Sequence, residues 1–224
     1  MTVLAQNLAR VWEKIDAAAK RSGRGREEVT LVAVTKMVGA DRIREAIMAG
    51  VTDIGENYVQ EAQEKWIELR EAARWHFIGH LQRNKAKAAV EFFDMIQSVD
   101  SIALAKEIGR RARAIDKCID VLVEVNVAGE AAKFGISPDQ SLDFAGEVAG
   151  VDGIRLCGLM GMAPFVDDPE LTRPYFSLLR RLFENLPPEN RVHLSMGMTQ
   201  DFEVAIEEGA TMVRIGTAIF GLRI

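Results

Sequence analysis

Eight short apolar runs alternating with longer amphipathic segments predict an α/β protein, a (β/α)8 TIM-type barrel with an extra N-terminal helix. Three observations carry this reading. The runs are short and rich in β-branched residues, as strands buried on both faces are. The segments between them repeat apolar residues at helical spacing. No Pro- or Ser-rich linker or low-complexity tract divides the 224 residues, so residues 1–224 read as one domain, with an open doubly wound sheet as the alternative.

The elements follow in order. A helix from Thr2 to Arg21 precedes the first strand. Strands are expected at Leu31–Lys36, Thr52–Glu56, Trp75–Ile78, Met95–Val99, Val121–Val125, Arg155–Met160, His193–Ser195 and Met212–Ile215. Between them lie helical patterns at about Ala40–Ala49, Tyr58–Ala73, Gln82–Phe92, Ile102–Lys117, Pro138–Ala149, Glu170–Leu186 and Asp201–Glu208, and a short extra helix is expected over Gly216–Gly221. Ser137 before Pro138 reads as a helix N-cap with proline in the first turn, and Gly50 and Gly209 read as glycines that end helices.

Composition narrows the function classes. A hydrophobic content of 48% is enough to bury a full core. With 28 Lys and Arg against 33 Asp and Glu, the net charge of −5 argues against a nucleic-acid binder. The basic clusters Arg21 to Arg26 and Arg110 to Arg113 abut helical patterns and read as solvated helix faces. No apolar run approaches membrane-spanning length, and the start lacks an export signal, so a soluble, cytoplasmic protein is expected. Cys118 and Cys157 show no CxxC spacing, which suits a reducing compartment and excludes a disulfide framework. His76, His80 and His193 lack ligand spacing, so no metal is expected; His76 and His193 read as core residues, and His80 as a residue near the pocket.

In a barrel, the chemistry sits at the C-terminal ends of the strands. Lys36 closes the apolar run Leu31-Val32-Ala33-Val34-Thr35, while the other eight lysines fall in helix or loop patterns where a charge stays wet. An amine held at the mouth of a dry strand becomes available to attack a carbonyl. The alternative is a strand-end lysine that reaches solvent or a carboxylate. Two later loops look built for an anion: Leu194-Ser195-Met196-Gly197-Met198-Thr199 and Gly216-Thr217-Ala218-Ile219-Phe220-Gly221. Their glycines permit close approach, and barrels commonly hold a phosphate after strands seven and eight. A lysine opposite a phosphate site suggests a ligand with both an aldehyde and a phosphate. Pyridoxal 5′-phosphate (PLP) has both, and a phosphosugar aldolase would also use them. Arg214, inside the last apolar strand, needs an acceptor; the PLP pyridine nitrogen can be one, and a buried ion pair with Glu56 or Glu124 is the alternative. An arginine there leaves the ring nitrogen unprotonated and mutes carbanion chemistry. Asn57 could touch the ring or cap a helix, and Lys133 could steer anions or receive cofactor. Met160, Met162, Met196 and Met198 would pack around a flat ligand or fill the barrel top.

Several motifs, in order from about Leu31 to Gly221, are together more specific than any one pattern. They are Val34-Thr35-Lys36, Gly55-Glu56-Asn57-Tyr58-Val59-Gln60-Glu61, the run Trp75 to Lys85, Gly158-Leu159-Met160, Leu194-Ser195-Met196-Gly197-Met198 and Arg214-Ile215-Gly216-Thr217. They closely resemble the pyridoxal phosphate homeostasis protein family, which itself resembles the N-terminal barrel of alanine racemase. Thr199 stands where the family often has serine, and Ile54 where Phe or Leu is frequent. The resemblance implies PLP held as a Schiff base on Lys36, with Ser195, Met196, Gly197, Gly216 and Thr217 around the phosphate, Arg214 at the ring nitrogen, and Asn57 and Met160 nearby. It implies a non-catalytic carrier, monomeric because the racemase dimerisation domain is not matched, that buffers PLP or passes it to apo-enzymes. Racemases use a tyrosine as second base; Tyr58 and Tyr175 fall in helical patterns here, so racemisation is expected to be slow or absent. A small PLP-dependent racemase and a Schiff-base aldolase remain the enzymatic alternatives.

Overall fold

The computed structural model describes residues 2–130 and 134–221. The chain opens with α1 (Val3–Arg21), capped by Thr2, whose hydroxyl accepts the Ala5 N–H at 3.2 Å. Leu4, Leu8, Val11 and Ile15 recur at helical spacing and form the face that α1 buries. Eight parallel strands follow: β1 (Thr30–Val34), β2 (Asp53–Glu56), β3 (Arg74–Phe77), β4 (Met95–Val99), β5 (Ile119–Val125), β6 (Ile154–Gly161), β7 (His193–Ser195) and β8 (Met212–Ile215). Each pairs with the next, and β8 pairs with β1 to close the barrel. The connecting helices are α2 (Ala40–Met48), α3 (Val59–Leu69), α4 (Ala86–Phe92), α5 (Ile102–Arg113), α6 (Ser141–Ala149), α7 (Arg173–Glu184) and α8 (Phe202–Glu207), with α9 (Thr217–Phe220) after β8. The fold is the barrel that the alternating pattern predicts.

Alternation along the strands creates two apolar compartments. Val32, Met95, Leu122, Cys157, Met160 and Met212 form a small cluster inside the barrel. A much larger one, including Ile54, Trp75, Phe77, Ile108 and Leu179, fills the space between sheet and helices. Charge also gathers at the N-terminal ends of the strands. The Asp120 carboxylate accepts from Arg155 Nε at 2.7 Å and from Arg74 Nη2 at 2.7 Å. Burial by itself would raise the Asp120 carboxyl, and these two guanidiniums outweigh it, holding the group below the usual carboxylate range.

Some boundaries differ from those expected, for local reasons. β1 ends at Val34 rather than Lys36. The Thr35 N–H still bonds Gly55 O at 2.9 Å, but the Val38 N–H returns to Thr35 O at 3.0 Å, and Met37 takes φ 60°. Lys36 therefore stands in a turn just past the sheet. Ser137 does not cap a helix: its carbonyl accepts the Gln140 N–H at 3.1 Å, making a turn, and α6 begins later at Ser141. Gly50 and Gly209 do end α2 and α8, at φ 104° and 98°, values that a Cβ disfavours. Arg21 and Arg110 lie on helix surfaces, bonded to Glu207 and Glu107, but Arg24, in the turn after α1, is half-buried and donates to the Ala210 and Ile206 carbonyls, so the first cluster is only partly a solvated helix face. Among the described residues, no helix is long and apolar enough to cross a membrane.

Candidate functional site

A cavity of about 370 Å³ opens at the C-terminal ends of β1, β6, β7 and β8. Its wall includes Lys36 from the turn after β1, Phe165 and Val166 after β6, Met198, Thr199 and Asp201 after β7, and Arg214, Gly216 and Thr217 at the end of β8. Strand order alone brings these together, because β8 closes on β1 and places the first and last loops side by side.

The Lys36 turn is clamped from both sides by a buried ionic group. Lys65, on α3, donates to Thr35 O at 2.6 Å, to Glu56 Oε1 at 2.7 Å and to Glu61 Oε1 at 2.7 Å. The Thr35 hydroxyl donates to Glu56 Oε1 at 2.6 Å, and the Met37 N–H donates to Glu61 Oε1. The residues before and after Lys36 are thus both tied to one cluster, and Lys65 spends its three N–H donors there. Burial raises the Glu56 carboxyl, and Lys65 opposes the rise. The expectation that every lysine except Lys36 stays wet is overturned by Lys65, which is buried while Lys36 is only half-buried. The sequence does contain the signal: Val59, Ala62, Lys65 and Leu69 share the apolar face of α3.

Arg214 is held differently. Its Nη1 donates to Ser195 Oγ at 2.6 Å and its Nη2 to Gly161 O at 3.0 Å. The expected alternative, an ion pair with Glu56 or Glu124, is absent among the described residues; Glu56 is taken by Lys65. Burial lowers the Arg214 guanidinium to about 10, with Glu124 and Asp201 opposing from a distance. Burial likewise pushes the Glu124 carboxyl up to about 7, Asp100 adding to the rise and Arg214 reducing it.

The loops after β7 and β8 meet on the same wall. Thr217 Oγ1 donates to Thr199 Oγ1 at 3.2 Å, joining the loops after β7 and β8. Gly216 precedes α9, and the first N–H groups of any helix, here those of Thr217 and Ala218, have no intrahelical partner. Gly197 sits at φ 90°, where a Cβ would come within 2.5 Å of Ala205 Cβ, so only glycine lets this loop pack on α8. Asp201 accepts the Met198 N–H at 2.6 Å, and burial raises its carboxyl while that bond and Arg214 oppose the rise.

Of the residues singled out from sequence, the structure brings Lys36, Arg214, Gly216 and Thr217 to the cavity wall. It places most of the others elsewhere. Ser195 and Met196 are fully buried beneath it, and the Ser195 hydroxyl is occupied by Arg214 and Gln97, so Ser195 supports the wall rather than lining it. Met160 lies in the barrel interior. Asn57 lines a second cavity of about 370 Å³ with Tyr58, His80 and Lys85, and its buried Oδ1 has no hydrogen-bond partner among the described residues. His80 stacks on Phe134 with centroids 3.6 Å apart. Met198 lines the main cavity, while Met162 packs against the barrel interior. Lys133 lies outside the described residues.

Comparison with known proteins agrees across the chain. Residues 6–224 match the family model described as alanine racemase, N-terminal domain. The chain is 44% identical over 222 residues to the pyridoxal phosphate homeostasis protein of Aquifex aeolicus, covering 97% of each. It is 41% identical over 231 residues to the protein of that name from Escherichia coli K12, covering 100% of this chain and 98% of the other. Its fold matches PipY of Synechococcus elongatus, solved with PLP bound, with a TM-score of 0.81 and 35% identity over 97% of this chain and all of the other (100%). A likeness to D-threonine aldolase from Filomicrobium marinum, at 19% identity and a TM-score of 0.73 over 97% of this chain and 59% of that one, concerns the fold alone.

Proposed function

The chain belongs to the pyridoxal phosphate homeostasis protein family, and from that premise we propose that it binds PLP in the cavity at the end of β8 and β1, as one domain over residues 1–224. The residues present fit the group. The cavity lies within the size range of about 300–1,000 Å³ that small ligands occupy. It offers a lysine, an arginine, a hydroxyl pair and a helix start on one wall, and this convergence is the observation that carries the proposal. Lys36 holds the cofactor covalently as a Schiff base, its amine replacing the aldehyde oxygen with loss of water. Thr217, Thr199 and the N–H groups at the start of α9 hold the phosphate, with Gly216 and Gly197 keeping the backbone close. Arg214 faces the pyridine nitrogen, with Ser195 and Met196 behind it. Phe165, Val166 and Met198 shield the ring from water. When bound, PLP supplies an electron sink, which an arginine at its nitrogen weakens.

The protein so proposed is a carrier that buffers PLP and passes it to apo-enzymes, acting as a monomer in the cytoplasm. Among the described residues, the cavity wall contains no tyrosine or histidine that could serve as a second base opposite Lys36. This favours holding over racemisation or aldol cleavage. The test is spectroscopic: the protein mixed with PLP should gain a visible absorbance band that borohydride abolishes and that Lys36→Ala lacks. A protein that leaves the PLP spectrum unchanged would overturn the binding role, and racemisation of alanine above the rate of free PLP would overturn the carrier role.

A further inference from the structure

We propose that Ser195, Gln97, His76 and Asp53 form a one-directional hydrogen-bond chain that positions the Arg214 guanidinium beneath the cavity. The positioning role rests on the reading of Arg214 given above, whereas the chain itself does not. The links run across the barrel interior. Arg214 Nη1 meets Ser195 Oγ at 2.6 Å, Ser195 Oγ meets Gln97 Oε1 at 2.6 Å, Gln97 Nε2 meets His76 Nδ1 at 3.0 Å, and His76 Nε2 meets Asp53 Oδ1 at 2.9 Å. All five residues are buried. The chain passes from β8 and β7 over to β4, then along β3 to β2.

Chemistry fixes the direction of every link. A guanidinium only donates, so the Ser195 oxygen accepts and its own proton must go onward. The Gln97 atom that receives it is therefore the amide oxygen, which turns the NH2 group toward His76. That group has a second use, a 3.0 Å contact with Met212 Sδ, so the Gln97 amide is engaged at both ends. His76 Nδ1 is then an acceptor, and the ring proton lies on Nε2, facing the Asp53 carboxylate. A cation and an anion in the barrel are thus joined through three uncharged carriers polarised in the same sense. The chain fixes Nη1, and the Gly161 carbonyl, which accepts from Nη2 at 3.0 Å, fixes the other arm, so the guanidinium plane is set by two partners at once.

Two measurements test the proposal. In the PLP-free protein at neutral pH, nitrogen NMR of His76 should show the proton on Nε2 and none on Nδ1; a proton on Nδ1 would overturn the chain whatever the protein binds. In the loaded protein, Ser195→Ala and Gln97→Met should each raise the PLP dissociation constant roughly tenfold, as the loss of a hydrogen bond to a charged group does, and shift the visible band of the bound cofactor. Arg214→Met should do both more strongly. If Arg214→Met alters affinity and band while Ser195→Ala and Gln97→Met alter neither, the positioning role is refuted. If Arg214→Met is itself silent, the assignment of Arg214 to the cofactor fails and the positioning role fails with it, and the NMR result still reports separately on the chain.

Discussion

Lys36 and Arg214 line the same cavity, yet the molecule steadies them in opposite ways. The turn bearing Lys36 is fastened from outside the sheet, where α3 brings a third charge, Lys65, against Glu56 and Glu61. Arg214 is fastened from inside the barrel by uncharged groups, with Glu124 and Asp201 acting only at longer range. The difference follows from what each compartment can provide. Between strand and helix, a long side chain can reach two carboxylates at once and form an ionic cluster. Inside the barrel, the carboxylates Glu124 and Asp53 stand beyond hydrogen-bonding distance of Arg214, so neutral groups are its direct partners.

Breaking the ionic side should have the larger effect. Lys65→Met leaves the buried Glu56 carboxylate without its partner, and the expected loss is about 3–5 kcal/mol of unfolding free energy, read by urea titration. A loss below about 1 kcal/mol would show that the cluster is solvated and that Lys36 is not clamped by it.

Removing a charge from the arginine side should have a smaller effect of opposite sign. The folded-state pKa of Glu124 is raised to about 7 from an ordinary 4.5, so the folded protein holds a proton there that the unfolded chain has given up. The carboxyl therefore costs nothing at pH 4, costs progressively more from about pH 4.5 to 7, and costs most above that. Glu124→Gln should stabilise the protein by on the order of 2 kcal/mol at pH 8 and leave it unchanged at pH 4. Destabilisation at pH 8 would mean that Glu124 is a close partner of Arg214 and would erase the contrast between the two sides.

The barrel was legible because its signal is repeated: each strand is short, apolar and followed by an amphipathic segment, and β4, β7 and β8 begin and end at the residues expected. That Lys36, Arg214, Gly216 and Thr217 share one cavity wall was legible because strand ends in a barrel converge on one face. Lys65 was missed because a lysine in a helix reads as solvated, although its place on the apolar stripe of α3 marked it. Gln97 was missed because polarity within a strand carries no sign of the residue across the barrel that will satisfy it. Ser195 was assigned to the anion because a serine beside a glycine loop resembles a phosphate ligand; the demand of Arg214 for an acceptor, which captures its hydroxyl, appears only once β7 and β8 are paired.

The central claim is that Lys36 is the covalent attachment point in a cavity shared with Arg214. The most direct measurement is peptide mapping by mass spectrometry after PLP loading and borohydride reduction. The expected result is one pyridoxyl adduct, on the peptide containing Lys36, in substoichiometric competition with no other lysine. An adduct distributed over surface lysines, or unchanged in amount when Lys36 is replaced by alanine, would contradict the account.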